Sequence, residues 1–229
     1  MNRMKLTLPP LLSLNAGYVD TAGFLALQGL FTAHVTGNFV TLGAALVLGT
    51  SGVVAKLAAL PMFCLVVVLT RLASRGLFSR GWPALRLLLG VKLLLLILGA
   101  ILAVRYGPFT DGDARTAIAT GMALVAAMAI QNGVHRIHLG SVPPTTLMTG
   151  STTQIMIDLA DLAAGLPTEK RPLVLGRLKR AATSVVAFAL GCAAAALAYA
   201  AVNVWCFVVP PLPALVALLM RIAEYEKPT

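Results

Sequence analysis

The chain has 229 residues, of which 59% are hydrophobic and 11% charged, against roughly 25% charged in soluble domains. These proportions exclude a domain that has water as its main solvent. The formal net charge of +10 does not point to nucleic acid, because the basic residues sit in short clusters between apolar blocks, with no aromatic-rich basic stripe.

Arg3 and Lys5 precede an apolar run and imitate a signal peptide, but Pro9, Pro10, Asn15 and Asp20 interrupt that run. The pattern predicts a retained first helix. Six apolar blocks, 11–30, 53–72, 85–104, 114–130, 181–201 and 205–220, have the length and composition of membrane-crossing helices. Two further segments differ. Segment 35–49 is short and Gly-rich, and segment 146–165 carries Ser151, Thr152, Thr153, Gln154, Asp158 and Asp161. The second is too polar to face lipid, since an Asp at mid-membrane costs about 2.5–3.5 kcal/mol on the insertion scale. Both are read as re-entrant or buried short helices.

The two odd segments resemble one another. Residues 32–38 (TAHVTGN) align without a gap against 145–151 (TTLMTGS), sharing T-x-x-x-T-G-[NS], and with one inserted residue Asp20 meets Asn132. This divides a single domain, 1–229, into related halves at about 11–104 and 114–220. With the odd segments not crossing, Lys56, Arg105 and Arg115 fall on one side and, Lys92 apart, every other Lys and Arg falls on the side of the termini. Lys and Arg concentrate on the cytoplasmic side, so both termini are expected there. If both odd segments crossed, the Arg71–Arg86 cluster would be stranded outside. Three crossings per half invert the second half relative to the first, and in such proteins short or Gly-interrupted segments mark the substrate site.

Candidate site residues follow from that plan. Asp20 lies about 15 Å along the first apolar block at 1.5 Å per residue, and a carboxylate there faces a cavity or a partner. It is a candidate proton or cation site, or a hydrogen-bond acceptor that serves packing. Thr36, Gly37 and Asn38, with Thr149, Gly150 and Ser151, form two turns whose glycines free the backbone and whose neighbours can hydrogen-bond a desolvated ligand. The competing reading is close helix packing at Gly37 and Gly150. Gln131 and Asn132 supply amides, and Gln154 and Asp158 complete the expected substrate-binding set. Lys92 is read as snorkelling toward the surface near Arg86.

No metal or cofactor is expected: His34, His135 and His138 read as solvated polar residues, and Cys64, Cys192 and Cys206 as inert packing. Metalloprotease, Walker and G-x-S-x-G signatures are absent, so no enzyme is expected. An Asp20–Asp158 aspartyl dyad is the one enzymatic alternative. The other is a non-transporting scaffold or assembly module. Lipid is the expected partner, with homo-oligomerisation open.

Residues 17–27 (GYVDTAGFLAL) and 29–38 (GLFTAHVTGN), with Gln131-Asn132 and Met148-Thr149-Gly150, resemble the signature of the YoaK-like family of bacterial inner-membrane proteins. The resemblance covers nearly the whole chain and implies a multi-pass inner-membrane protein, without a substrate or reaction. The loop 135–144 is less Gly- and Arg-rich than that family leads one to expect. The overall expectation is an all-α membrane protein of six transmembrane helices plus two re-entrant or buried ones, passing a small polar solute or ion.

Overall fold

A computed structural model of the chain describes residues 7–220. All regular structure among them is helical: α1 (Leu8–Ala26), α2 (Asn38–Leu48), α3 (Val53–Ser79), α4 (Ala84–Tyr106), α5 (Arg115–His138), α6 (Met148–Ala163), α7 (Arg171–Val202) and α8 (Pro211–Leu219), with 3-10 turns at Val35–Gly37 and Asn203–Val208. Four stretches, α3, α4, α5 and Arg171–Val208, are long and apolar enough to cross a membrane. Arg3, Lys5, Arg221 and Lys227, used in the charge argument, lie outside the described residues.

Helix boundaries depart from the apolar blocks where local chemistry overrides hydropathy. The first block is expected to run to residue 30, but α1 stops at Ala26 because Gln28 and Gly29 take left-handed backbone, with φ of 53° and 80°. Prolines at its first turn suit its start, where their missing N–H is not needed. The fourth block continues past residue 130 to His138, and α7 begins at Arg171, ten residues before the apolar block, since helix needs no apolar side chains where it is solvated. The last block is split, because Pro210 and Pro211 separate the 3-10 turn from α8.

Two helices form the centre. In α5 nearly every residue from Thr120 to His135 is buried, and α1 is buried along most of its length. Each takes its principal neighbour from the other part of the chain: α1 packs on α7, and α5 packs on α3 and α4. Without a hydrophobic driving force between helices in lipid, such contacts rest on close van der Waals packing and buried hydrogen bonds. The α1–α7 crossing is backbone against backbone. A Cβ on Gly17 would fall on the Phe188 carbonyl, and one on Gly191 on the Leu14 carbonyl.

One end of the bundle is tied by polar contacts. The Lys56 ammonium donates to the carbonyls of both Gln28 (2.7 Å) and Ser51 (3.2 Å), so residues 28–51, α2 included, leave and return at the same end. Asp113, just before α5, accepts from the N–H groups of Gly52, Val53, Val54 and Ala55 and so caps α3 from 60 residues away. Gln28 donates to Phe109 and the Ser51 hydroxyl accepts from Gly112. At the opposite end the Leu8, Leu85, Leu139 and Ala217 side chains share an apolar cluster.

Candidate functional site: two polar turns against the central helices

After α1 the chain folds back along it. The Asp20 carboxylate, about 9 Å short of the Ala26 end, receives the N–H groups of Thr32 and Ala33 at 2.7 Å each and that of His34 at 3.3 Å, with the Thr32 hydroxyl at 3.4 Å. All these bonds go to Oδ1. Asn38, the first residue of α2, donates to the Phe31 carbonyl and accepts from the Phe31 N–H, both at 2.8 Å. The residue order explains this fit. Gln28 and Gly29 reverse the chain, and Asp20 then lies beside the three N–H groups that the returning strand exposes.

The corresponding turn after α5 uses other groups. Asn132 accepts from the Thr146 hydroxyl at 2.7 Å, and Gln131 donates to the Thr145 hydroxyl (3.1 Å) and to the Leu12 carbonyl (2.9 Å). Behind Gln131, Lys92 donates to its side-chain oxygen. Lys92 is only 1% exposed, so it does not snorkel; Gln131 offers an acceptor at depth, which removes the need to reach the surface. Past Thr146, Leu147 is extended and α6 starts with no side-chain cap. The Ser151 hydroxyl, one turn into α6, is buried without a hydrogen-bond partner among the described residues.

The expected residues therefore divide into separate groups. Asp20 and Asn38 belong to the first turn; Gln131 and Asn132 to the second. Gln131 contacts Leu12, eight residues and about 12 Å along α1 from Asp20, so the two turns sit at different depths. Thr36 is exposed and Gly37 half-buried. Thr149 and Gly150 lie on the outer face of α6, Thr149 lining a shallow open groove with Thr152, Thr153 and Met156. Gln154 and Asp158 form a third group: Asp158 accepts from Gln154 at 2.8 Å and from both Nε and a terminal nitrogen of Arg177 on α7. The Arg177 hydrogen bonds hold the Asp158 carboxyl below the usual carboxylate range, and Gln154 adds to this. Asp20 and Asp158 bond to different partners and form no dyad.

Thr32, Thr145, Thr146, Lys92 and Arg177 also make these contacts, although sequence reasoning did not select them. The repeated T-x-x-x-T-G does contain a signal for the threonines, since its first Thr (Thr32, Thr145) is the one that bonds. His138 approaches the Ser74 hydroxyl at 3.1 Å, His135 is buried, and no three His, Cys, Asp or Glu among the described residues are grouped to hold a metal.

No curated protein and no solved structure matches the chain. The narrower YoaK-like resemblance therefore has no named relative behind it. A family model does match, over residues 8–220, that of the "Protein of unknown function (DUF1275)", and the chain belongs to that family.

Proposed function

We propose that the protein passes a small polar solute or ion across the bacterial inner membrane, as a transporter or channel built from an inverted repeat. The observation that carries this reading is a pair of turns entering from opposite ends. Residues 28–51 leave and return at the end that carries Lys56 and Asp113. The segment between α5 and α7 leaves and returns at the other end, since Val204, just beyond α7, meets Gly107 at the Lys56 end. Opposed, interrupted segments against central helices are where inverted-repeat transporters place substrate and coupling ions. The exchange of partners, α1 with α7 and α5 with α3, supports the repeat. Counting α1 and the Asn203–Leu219 stretch with the four long helices gives six crossings. Arg71, Arg75, Arg80, Arg86, Arg136, Lys170 and Arg171 then share one side, which assigns it to the cytoplasm together with both termini.

Asp20 is the proposed proton or coupling-cation group, since among the described residues no hydrogen bond engages its Oδ2. Purified protein in liposomes should dissipate a gradient of its solute, and Asp20→Asn should slow this or uncouple it from a proton gradient. A reporter fused after Ser79 should read cytoplasmic; a periplasmic signal would remove the six-crossing arrangement. The second reading, a scaffold or assembly module, is favoured by the self-contained bonding of Asn38 with Phe31. Protein that is folded in liposomes yet passes no metabolite or ion would decide for it.

A further inference from the structure

We propose that the turn between α3 and α4 is a docking site for the headgroup of an anionic phospholipid, with Arg71 and Arg75 taking its phosphate beside Trp82. The site goes beyond the passage reading and does not depend on it. α3 has 27 residues and is about 40 Å long at 1.5 Å per residue, against a hydrocarbon core of about 30 Å. Its last turns therefore outrun the core, and Phe78, Trp82 and Pro83 stand at the level of the headgroups. Trp is favoured there, with its ring on apolar matter and its N–H in water.

The backbone fixes this turn. The N–H groups of Gly81 and Trp82 donate to the carbonyls of Phe78 (2.9 Å) and Leu77 (3.0 Å), and Gly81 takes the left-handed φ of 70° that such a helix end needs. Trp82 is left 57% exposed and Phe78 51%. Both α3 and α4 pack mainly on α5 rather than on each other. At their shared end Phe78, Trp82, Pro83 and Leu85 enclose, with His138 of α5, a cleft of about 220 Å³. That is smaller than the roughly 300–1,000 Å³ of sites that surround a drug-sized molecule, and it suits a headgroup whose chains stay outside in the bilayer.

The charge around the cleft has one sign. Arg71, Arg75 and Phe78 are spaced four and three residues apart, which sets them on one face of α3. That face adjoins Ser74, whose buried hydroxyl meets His138 at 3.1 Å. Arg71 and Arg75 are exposed, and neither belongs to an ion pair among the described residues, where Arg177 with Asp158 is the one pair. Arg86, next to Leu85, and Arg136, two residues before His138, are exposed as well. Residues 53–106 and 115–138, which form α3, α4 and α5, contain no Asp or Glu. Each guanidinium presents a fork of N–H donors that fits a phosphate, and basic pockets between spans at headgroup level bind anionic lipids.

The test follows the melting temperature of the full chain in dodecyl maltoside as phosphatidylglycerol is added, with phosphatidylcholine as reference. Phosphatidylglycerol should raise it saturably, because a ligand of the folded state stabilises by mass action; phosphatidylcholine should not. Arg71→Gln with Arg75→Gln should weaken the apparent affinity about 25-fold, at about a factor of five for each cation near the headgroups. Lys170→Gln with Arg171→Gln removes the same charge from the start of α7, which does not line the cleft, and should leave the affinity nearly unchanged. Trp82→Ala, which removes no charge, should weaken it severalfold. An equal response to phosphatidylcholine overturns the site. So does the same loss in both charge variants, which would leave only diffuse attraction, and so does inorganic phosphate that stabilises as well as the lipid. Which leaflet supplies the lipid follows from the orientation proposed above; a periplasmic reporter signal after Ser79 would move the site to the other leaflet and leave the docking intact.

Discussion

After α1 the chain is turned by an ionisable group, Asp20, facing three backbone N–H groups, and is closed by the Asn38 amide on both polar atoms of Phe31. After α5 the turn in register with it is held by two threonine hydroxyls on neutral amides, Thr145 on Gln131 and Thr146 on Asn132. The difference follows from a few residues. Pro144, which stands in register with Phe31, has no N–H to give, and Ser151 in place of Asn38 is too short to span the turn. The first turn thus has its donors satisfied, whereas at the second the Ser151 hydroxyl has no partner among the described residues. Where lipid offers no hydrogen bonds, that contrast bears on how firmly each turn is held.

The comparison breaks most readily at Asp20. Asp20→Ala leaves several buried N–H groups without an acceptor, each costing about 1–3 kcal/mol, so we expect a loss of 3 kcal/mol or more in reversible unfolding from mixed micelles. Asn132→Ala, at the matching position, removes the bond from the Thr146 hydroxyl and the amide's own bond to the Met128 carbonyl, but leaves no backbone N–H without its acceptor, and should cost about 1 kcal/mol. Equal losses at the two positions would show that the turns are held alike. Between these lies Asn38→Ser, which gives the first turn the residue of the second. It should cost about 2 kcal/mol by freeing the Phe31 N–H and carbonyl. The reciprocal Ser151→Asn should recover at most one of the two bonds, since Pro144 offers a carbonyl but no N–H. A stabilised Ser151→Asn variant would mean that the second turn can be closed by side chain alone.

How far the sequence reaches also differs between the parts. The long apolar blocks behind α3 and α4 are local in sequence: α4 keeps close to its block, whereas α3 starts with its block and runs on past residue 72 to Ser79. The early stop of α1 is not visible in hydropathy, because Leu27 and Leu30 continue the apolar run while Gln28 and Gly29 reverse the backbone. For the site, Asp20, Asn38, Gln131 and Asn132 stand out as polar groups in apolar surroundings, which is a local property. Their division into two turns that meet α1 about 12 Å apart along its axis is not local. It depends on pairings such as Gln131 with Leu12, 119 residues apart, and Lys92 with Gln131, 39 apart, and no periodicity records those. Lys92 shows the limit: six residues beyond Arg86 on α4 it reads as a snorkelling side chain until an acceptor on another helix is known.

The smallest expected effect lies in the third group, at the Asp158–Arg177 pair between α6 and α7. The Arg177 side chain is 44% exposed, and an ion pair at such a site is weakened by water and salt. Its sign is nevertheless fixed. Hydrogen bonds from Arg177, with Gln154 adding, lower the folded-state affinity of Asp158 for a proton, whereas an unfolded Asp titrates near pH 4, about 3.9. The contribution is therefore complete above that value and is lost as pH falls below it through the lower folded value. Melting temperature should fall on acidification from about pH 5 to pH 3, and Asp158→Asn should melt lower at neutral pH with a flatter acid limb. Parallel acid limbs in the two proteins would mean that the pair does not hold α6 to α7, and that the depth of the uncapped helix start is set by Thr145 and Thr146 alone.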